Sequence, residues 1–137
     1  MTVLGGGGAA TAIIAQAALD GAAKIFVFSR SQSIERHTAT AQKISKETQV
    51  PIEVLPLEDS SLLQEKIFQS RLLVNGTSVG MDGKSLVVDE ETILPQNLLV
   101  VDVIYQPFET PFINFAKQQG ATTVNGLRSE EHTSELQ

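Results

Sequence analysis

Thr2-Val3-Leu4-Gly5-Gly6-Gly7-Gly8-Ala9-Ala10 decides how the rest of the chain is read. A short apolar run ends in four glycines, and an Ala-rich segment to Leu19 follows with helical character. The spacing fits G-x-G-x-x-A, with Gly5, Gly7 and Ala10 in the three marked positions. In such a loop the first glycine permits a tight turn and the second lets backbone approach a pyrophosphate. The small third residue lets helix and strand pack closely. Free N–H groups and the dipole at the helix start then favour an anion. Four glycines also suit a plain flexible turn, so it is the position between strand and helix that points to a dinucleotide.

Outward from this loop, apolar β-prone runs alternate with helical patterns. Ile25 to Phe28 is a continuous apolar strand, as expected where both faces of a sheet are covered. A helix is expected from Ser33, as N-cap, to Thr48, and a strand from Ile52 to Leu55. The next helix spans Ser60 to Gln69 with Leu62, Leu63, Ile67 and Phe68 inward. Arg71 to Val74 and Leu98 to Ile104 read as strands, separated by a Gly-rich loop and a polar stretch. Thr110 to Gln119 reads as a helix with Phe112, Ile113 and Phe115 on its apolar side. Gly120 caps it, and a sixth strand follows over Thr122 to Val124. Repeated strand–helix–strand units imply right-handed crossovers. The expected fold class is α/β, a Rossmann-like doubly wound, mostly parallel six-stranded sheet.

Composition narrows the function. The 137 residues carry a net charge of −6, which argues against a nucleic-acid surface. The absence of cysteine excludes disulfides and thiolate metal sites. No apolar run approaches the roughly 18 residues of a membrane span, and no secretory leader is visible, so a cytoplasmic location is expected. No metal site is expected. Neither His37, on a polar helical face, nor His132 reads as a general base. Lys24, Lys43, Lys46, Lys66, Lys84 and Lys117 read as surface charges.

Cofactor preference should be decided at the end of the second strand. An NAD-preferring site usually places Asp or Glu there, about 20 residues past the glycines. Here the sequence is Ser29-Arg30-Ser31-Gln32-Ser33, without an acid. Arg30 can pair with or stack beside a 2′-phosphoadenosine, and Ser29 and Ser31 can donate hydrogen bonds to it. NADP is favoured, with NAD open.

Three further segments carry a family resemblance. These are Asn75-Gly76-Thr77-Ser78-Val79-Gly80-Met81, Asp102-Val103-Ile104-Tyr105-Gln106-Pro107 with Thr110-Pro111-Phe112, and Asn125-Gly126-Leu127. Together with the glycine loop, and in this order over residues 1–127, they resemble the C-terminal half of shikimate dehydrogenases. The resemblance implies reversible reduction of 3-dehydroshikimate to shikimate with NADPH, in chorismate and aromatic amino-acid biosynthesis. Gly5, Gly6, Gly7, Gly8 and Ala9 would bind the pyrophosphate. Ser29, Arg30 and Ser31 stand where the family often has Asn-Arg-Thr. The family's second basic residue is out of register, with Ile34 in its place and Arg36 two positions on. Asn75, Thr77 and Ser78 would line the cleft near the nicotinamide. Val103 and Gly126 would contact it through backbone, and Tyr105 would contact the substrate. Read alone, Tyr105 is an ordinary packing residue at a strand end. Asp102 is expected to be a structural carboxylate bonded to loop N–H groups.

The family's catalytic Lys–Asp pair belongs to an N-terminal substrate domain that has no counterpart in this sequence, so no catalytic residue is assigned and the chain alone is expected to be inactive. Residues 1–127 are expected to be the dinucleotide-binding domain of a longer enzyme, truncated at both ends. Arg128-Ser129-Glu130-Glu131-His132-Thr133-Ser134-Glu135-Leu136-Gln137 back-translates in frame to a string resembling a sequencing-library adapter, and is expected to be a non-native tail. The expected partner is the small-molecule substrate together with the missing domain, and oligomeric state stays open. Two alternatives remain: a quinate/shikimate dehydrogenase using NAD, and a free-standing, non-catalytic nucleotide-binding domain.

Overall fold

The computed structural model describes residues 1–104 and 109–125. The chain runs β1 (Thr2–Leu4), α1 (Gly8–Leu19), β2 (Ile25–Ser29), a 3-10 turn (Ser31–Ser33) leading into α2 (Ile34–Thr48), β3 (Ile52–Pro56), α3 (Ser60–Phe68), β4 (Leu72–Asn75), β5 (Leu99–Asp102), α4 (Pro111–Gln118) and β6 (Thr122–Asn125). The strands form one sheet in the order β3-β2-β1-β4-β5-β6, and every pairing among them is parallel. This is the doubly wound order, in which the chain reverses direction across the sheet between β1 and β4. The α/β, Rossmann-like expectation holds.

Alternate residues of the central strands feed two separate cores, which is why the strands read as unbroken apolar runs. Leu4, Phe26, Phe28 and Leu73 pack on one face with Leu63 and Ile67 of α3 and Phe112 and Ala116 of α4. Val3, Ile25, Val27 and Val74 pack on the other with Ala10, Ile14 and Ala18 of α1. Phe28 and Phe112 are wholly buried, each contributing about 2–3 kcal/mol relative to an exposed ring.

Local signals set the element ends. The Gly120 N–H bonds to the Lys117 carbonyl and the Ala121 N–H to that of Ala116, the paired closure of a Schellman motif on α4. At its other end Thr110 is the N-cap, its hydroxyl accepting the Ile113 N–H, with Pro111 in the first turn. Two local expectations fail. Ser33 stands at the N-cap of α2 but makes no side-chain cap bond, because a 3-10 turn already precedes the helix. Phe68 is 57% exposed: Leu63 and Ile67, four residues apart, face the sheet, and Phe68 lies about 100° around the helix from Ile67. Strand β5 ends at Asp102 rather than Ile104.

The connection from β4 to β5, residues 76–98, contains no helix. Two glutamine side chains hold it down. Gln64 of α3 accepts the Ile93 N–H at 2.7 Å and donates to the Ile93 carbonyl at 2.8 Å. Gln119 accepts the Leu94 N–H at 2.7 Å and donates to the Thr92 carbonyl at 2.9 Å. These amides supply the partners that the connection's backbone lacks for want of a ladder. Among the described residues, no helix is long and apolar enough to cross a membrane.

Candidate functional site

The loop after β1 is shaped by what surrounds it. The Gly5 N–H bonds to the Phe28 carbonyl at 2.7 Å, and the Gly76 N–H bonds to the Leu4 carbonyl at 2.8 Å. Gly5 has φ +99°, a region that side-chain-bearing residues avoid. Nothing lies within 4 Å of where a Cβ on Gly7 or Gly8 would stand, so backbone there is open to a ligand. Helix α1 begins at Gly8 with no side-chain cap, leaving its first N–H groups available to an anion. Ala10 is fully buried, and a Cβ on Gly76 would lie 2.8 Å from its Cβ. The small third residue of the motif thus packs against the turn after β4.

At the end of β2 the three polar residues separate. Ser29 is buried, and its hydroxyl lies 2.5 Å from Nδ1 of His37 and 3.3 Å from the Arg30 carbonyl. The hydroxyl expected to donate to a phosphate is thus engaged with His37 and the Arg30 carbonyl. Arg30 is exposed. The Ser31 N–H bonds to both carboxylate oxygens of Glu58 at 3.1 Å, and its hydroxyl donates to Glu58 at 2.9 Å. Bonds from the Ser31 N–H, then the N–H of Glu58 itself and the Ser31 hydroxyl, hold Glu58 below the usual carboxylate range, with the Arg30 charge adding to them.

Sequence reasoning missed both His37 and Glu58 as part of this corner. A Cβ on Gly6 would fall 2.4 Å from Nδ1 of His37, so the imidazole lies directly under the glycine loop. Burial, and then the neighbouring Arg36, lower the pKa of His37. The signal for Glu58 is the β2–β3 register. Ser29 pairs with Pro56, and the Leu57 N–H bonds to the Ser29 carbonyl, which brings the residues after the two strands together.

The far half of the site is built on β4 and β5. Leu4, Asn75, Asp102 and Asn125 stand at one register level across β1, β4, β5 and β6. Asn75 is wholly buried, so it shapes the turn instead of lining the cleft. Its oxygen accepts the Thr77 N–H and hydroxyl at 3.0 and 2.6 Å, and its amide donates to the Val79 carbonyl and to Asp102. Thr77 is half-buried and Ser78 exposed. The carboxylate of Asp102 accepts the Ile104 N–H, the Asn75 amide and the Thr110 hydroxyl. Burial raises its pKa against the pull of those bonds, and the expected structural role fits this geometry. Tyr105 and Gly126 lie outside the described residues.

Two hollows follow the carboxyl ends of the strands and share Gly76, Thr77 and Ser78. One, of about 320 Å³, runs from the glycine loop to Ser29, Arg30 and His37. The other, of about 410 Å³ and largely apolar, is bounded by Ala9, Met81, Val103 and Ile104. Together they form a trough across the β1/β4 switch point, where open α/β sheets bind ligands. Open backbone and a helix start lie at its middle, a cation at one end and an apolar hollow at the other. This arrangement can hold an elongated anionic ligand with one flat, apolar end. Among the described residues, no cluster of His, Asp and Glu could hold a metal ion.

No protein-family model matches the chain. It is 60% identical over 127 residues to the shikimate dehydrogenase (NADP(+)) of Streptococcus suis, covering 93% of this chain and 44% of that protein. Its fold matches the crystal structure of shikimate 5-dehydrogenase from Listeria monocytogenes in complex with shikimate and NAD. The TM-score is 0.86 at 37% identity, covering 95% of this chain and 46% of that one. A second match is the shikimate 5-dehydrogenase of Thermus thermophilus in complex with NADP(H) and shikimate. There the TM-score is 0.71 at 31% identity, covering 93% of this chain and 42% of that one. The chain spans less than half the length of the curated relative it matches.

Proposed function

Proceeding from a chain homologous to the NAD(P)-binding part of shikimate dehydrogenases, we propose that residues 1–127 form the cofactor-binding domain of such an enzyme. The parent reaction is the reversible reduction of 3-dehydroshikimate to shikimate, a cytoplasmic step toward chorismate and the aromatic amino acids. The observation that carries this is the trough at the β1/β4 switch point, with the open start of α1 at its middle. NADPH, when bound, supplies the hydride that adds to the ring carbonyl carbon, while the oxygen takes a proton.

This chain's own residues bind and orient. Backbone at Gly5, Gly6, Gly7, Gly8 and Ala9 receives the pyrophosphate. Arg30 and Ser31 face the adenosine end, and Ser29 holds the loop between them through His37. Asn75 fixes the turn that presents Thr77 and Ser78 toward the nicotinamide, with Val103 across the trough. Tyr105 and Gly126 are assigned to substrate and nicotinamide by resemblance alone. The resemblance assigns proton transfer to a Lys–Asp pair that corresponds to no residue of 1–127, and residues 1–127 tested by themselves should show no shikimate oxidation above a blank without protein.

Calorimetric titration of NADP⁺ and NAD⁺ into the chain and its Arg30→Ala variant tests the reading. Loss of one charge-assisted phosphate contact should weaken NADP⁺ about tenfold and leave NAD⁺ nearly unchanged. Binding of neither dinucleotide by a folded chain would overturn it. A quinate/shikimate dehydrogenase using NAD is the second reading. It is favoured by the acid that Glu58 places beside Ser31 and by the NAD complex of the Listeria enzyme. Preference of the chain for NAD⁺ would select it.

A further inference from the structure

The residues immediately after β2, Arg30 to Ser33, include no acid, yet β3 delivers one to the same place. Glu58 lies two residues past the end of β3. The Leu57 N–H bond to the Ser29 carbonyl, at 2.8 Å, anchors the segment immediately before it. Its carboxylate takes the Ser31 N–H through both oxygens at 3.1 Å and the Ser31 hydroxyl at 2.9 Å. Ser31 and Glu58 are both exposed, and Arg30, which acts electrostatically on Glu58, borders the trough beside them.

The consequence depends on what a ligand carries at this corner. A 2′-phosphate beside Arg30 would draw on the Ser31 N–H and hydroxyl as further donors, and Glu58 already occupies both. Binding it means displacing the carboxylate and then holding two anions side by side, which is unfavourable. A free 2′-hydroxyl needs neither donor and can itself donate to the carboxylate, as it does to an acid on the second strand of NAD-preferring sheets.

Resting on the dinucleotide reading above, we propose that Glu58 is a specificity-determining residue, set against Arg30, that disfavours a 2′-phosphorylated dinucleotide relative to one with a free 2′-hydroxyl. Discrimination at this corner is then a balance between one cation from β2 and one anion from β3. A sequence search confined to the end of β2 sees only the first.

The test is the ratio of NADP⁺ to NAD⁺ affinity in the chain as it stands and in Glu58→Gln and Glu58→Lys variants, by calorimetry at low and high salt. Glu58 is exposed, and circular dichroism checks that each variant is folded. Glu58→Gln should raise the ratio about fivefold, the scale of one solvent-screened charge contact. Glu58→Lys should raise it further, and added salt should shrink both gains. A ratio that stays within about twofold in both variants, or falls, overturns the inference while leaving the dinucleotide site in place. Folded chains that bind neither dinucleotide overturn both.

Discussion

Thr110 ties Asp102 to the start of α4 through a single oxygen. Its hydroxyl donates to Oδ2 of Asp102 at 2.7 Å and accepts the Ile113 N–H at 3.2 Å, and both residues are wholly buried. The other carboxylate oxygen takes the Ile104 N–H at 3.0 Å and the Asn75 amide at 3.2 Å. One buried carboxylate thus joins the end of β5, the turn after β4 and the N-terminus of α4. Two of those three segments border the apolar half of the trough.

Thr110→Val keeps the shape and removes the hydroxyl. The Ile113 N–H loses its cap and Asp102 loses its closest donor, at two residues that are wholly buried. The expected loss is about 2–4 kcal/mol in denaturant unfolding. Thr110→Ser should recover most of it. Equal losses for Val and Ser would place the effect in packing.

The pH dependence of Asp102 runs opposite to that of an ordinary paired carboxylate. Burial holds its folded pKa above the unfolded value of 3.8. Between those two values the folded chain binds more protons than the unfolded one, so stability falls as pH rises through that window. The contribution is complete below 3.8 and lost above the folded value. The stability of the wild type relative to Asp102→Asn, from urea midpoints, should therefore shrink as pH rises through the window. A difference that grows would show that the three hydrogen bonds outweigh burial.

The parallel sheet is legible in the sequence because burial on both faces leaves continuous apolar strands such as Ile25–Phe28, while Gly5 and Ala10 mark the first turn. Phe68 misleads because it closes an apolar run yet lies off the stripe set by Leu63 and Ile67. Residues 76–98 carry no periodicity, since Gln64 and Gln119 satisfy the connection from outside it. Glu58 is the sharpest case. It reaches the site through strand pairing, and the sequence near Ser31 contains no trace of it. The deep positions of Ser29 and Asn75 are hidden for a similar reason, because a polar residue at a strand end reads as available until its partners are known.

Gly76 has no room for a side chain unless its neighbours shift. A Cβ there would stand 2.8 Å from that of Ala10, 3.1 Å from its Cα and 3.2 Å from the Leu4 carbonyl oxygen. Two of these neighbours are backbone in the middle of the fold and cannot turn aside. Gly76→Ala should cost about 2–3 kcal/mol and weaken dinucleotide binding by displacing Thr77 and Ser78. Unchanged thermal unfolding would show that β4 shifts without penalty.

His37 should titrate below 6.5. Burial, and then the Arg36 charge, disfavour its protonated form. The unfolded chain therefore binds more protons between the folded pKa and 6.5. Stability from this group is complete above 6.5 and is lost as pH falls through the folded value. Proton NMR of the imidazole measures the midpoint directly, and a value at or above 6.5 would contradict the placement.

The same imidazole explains why Gly6 must stay small. A Cβ on Gly6 would lie 2.4 Å from Nδ1 and 2.5 Å from Cγ of His37, whose ring is held by the Ser29 hydroxyl. Gly6→Ala must push the ring off Ser29 or move the loop. The expected loss is about 1–3 kcal/mol of stability, together with weaker dinucleotide binding. In a His37→Ala background the obstruction is gone, so the same substitution should cost less than half as much. This non-additivity is the signature of direct contact. Equal costs in both backgrounds would mean that Gly6 is constrained by something other than His37, and the imidazole would lose its place as the support of the glycine loop.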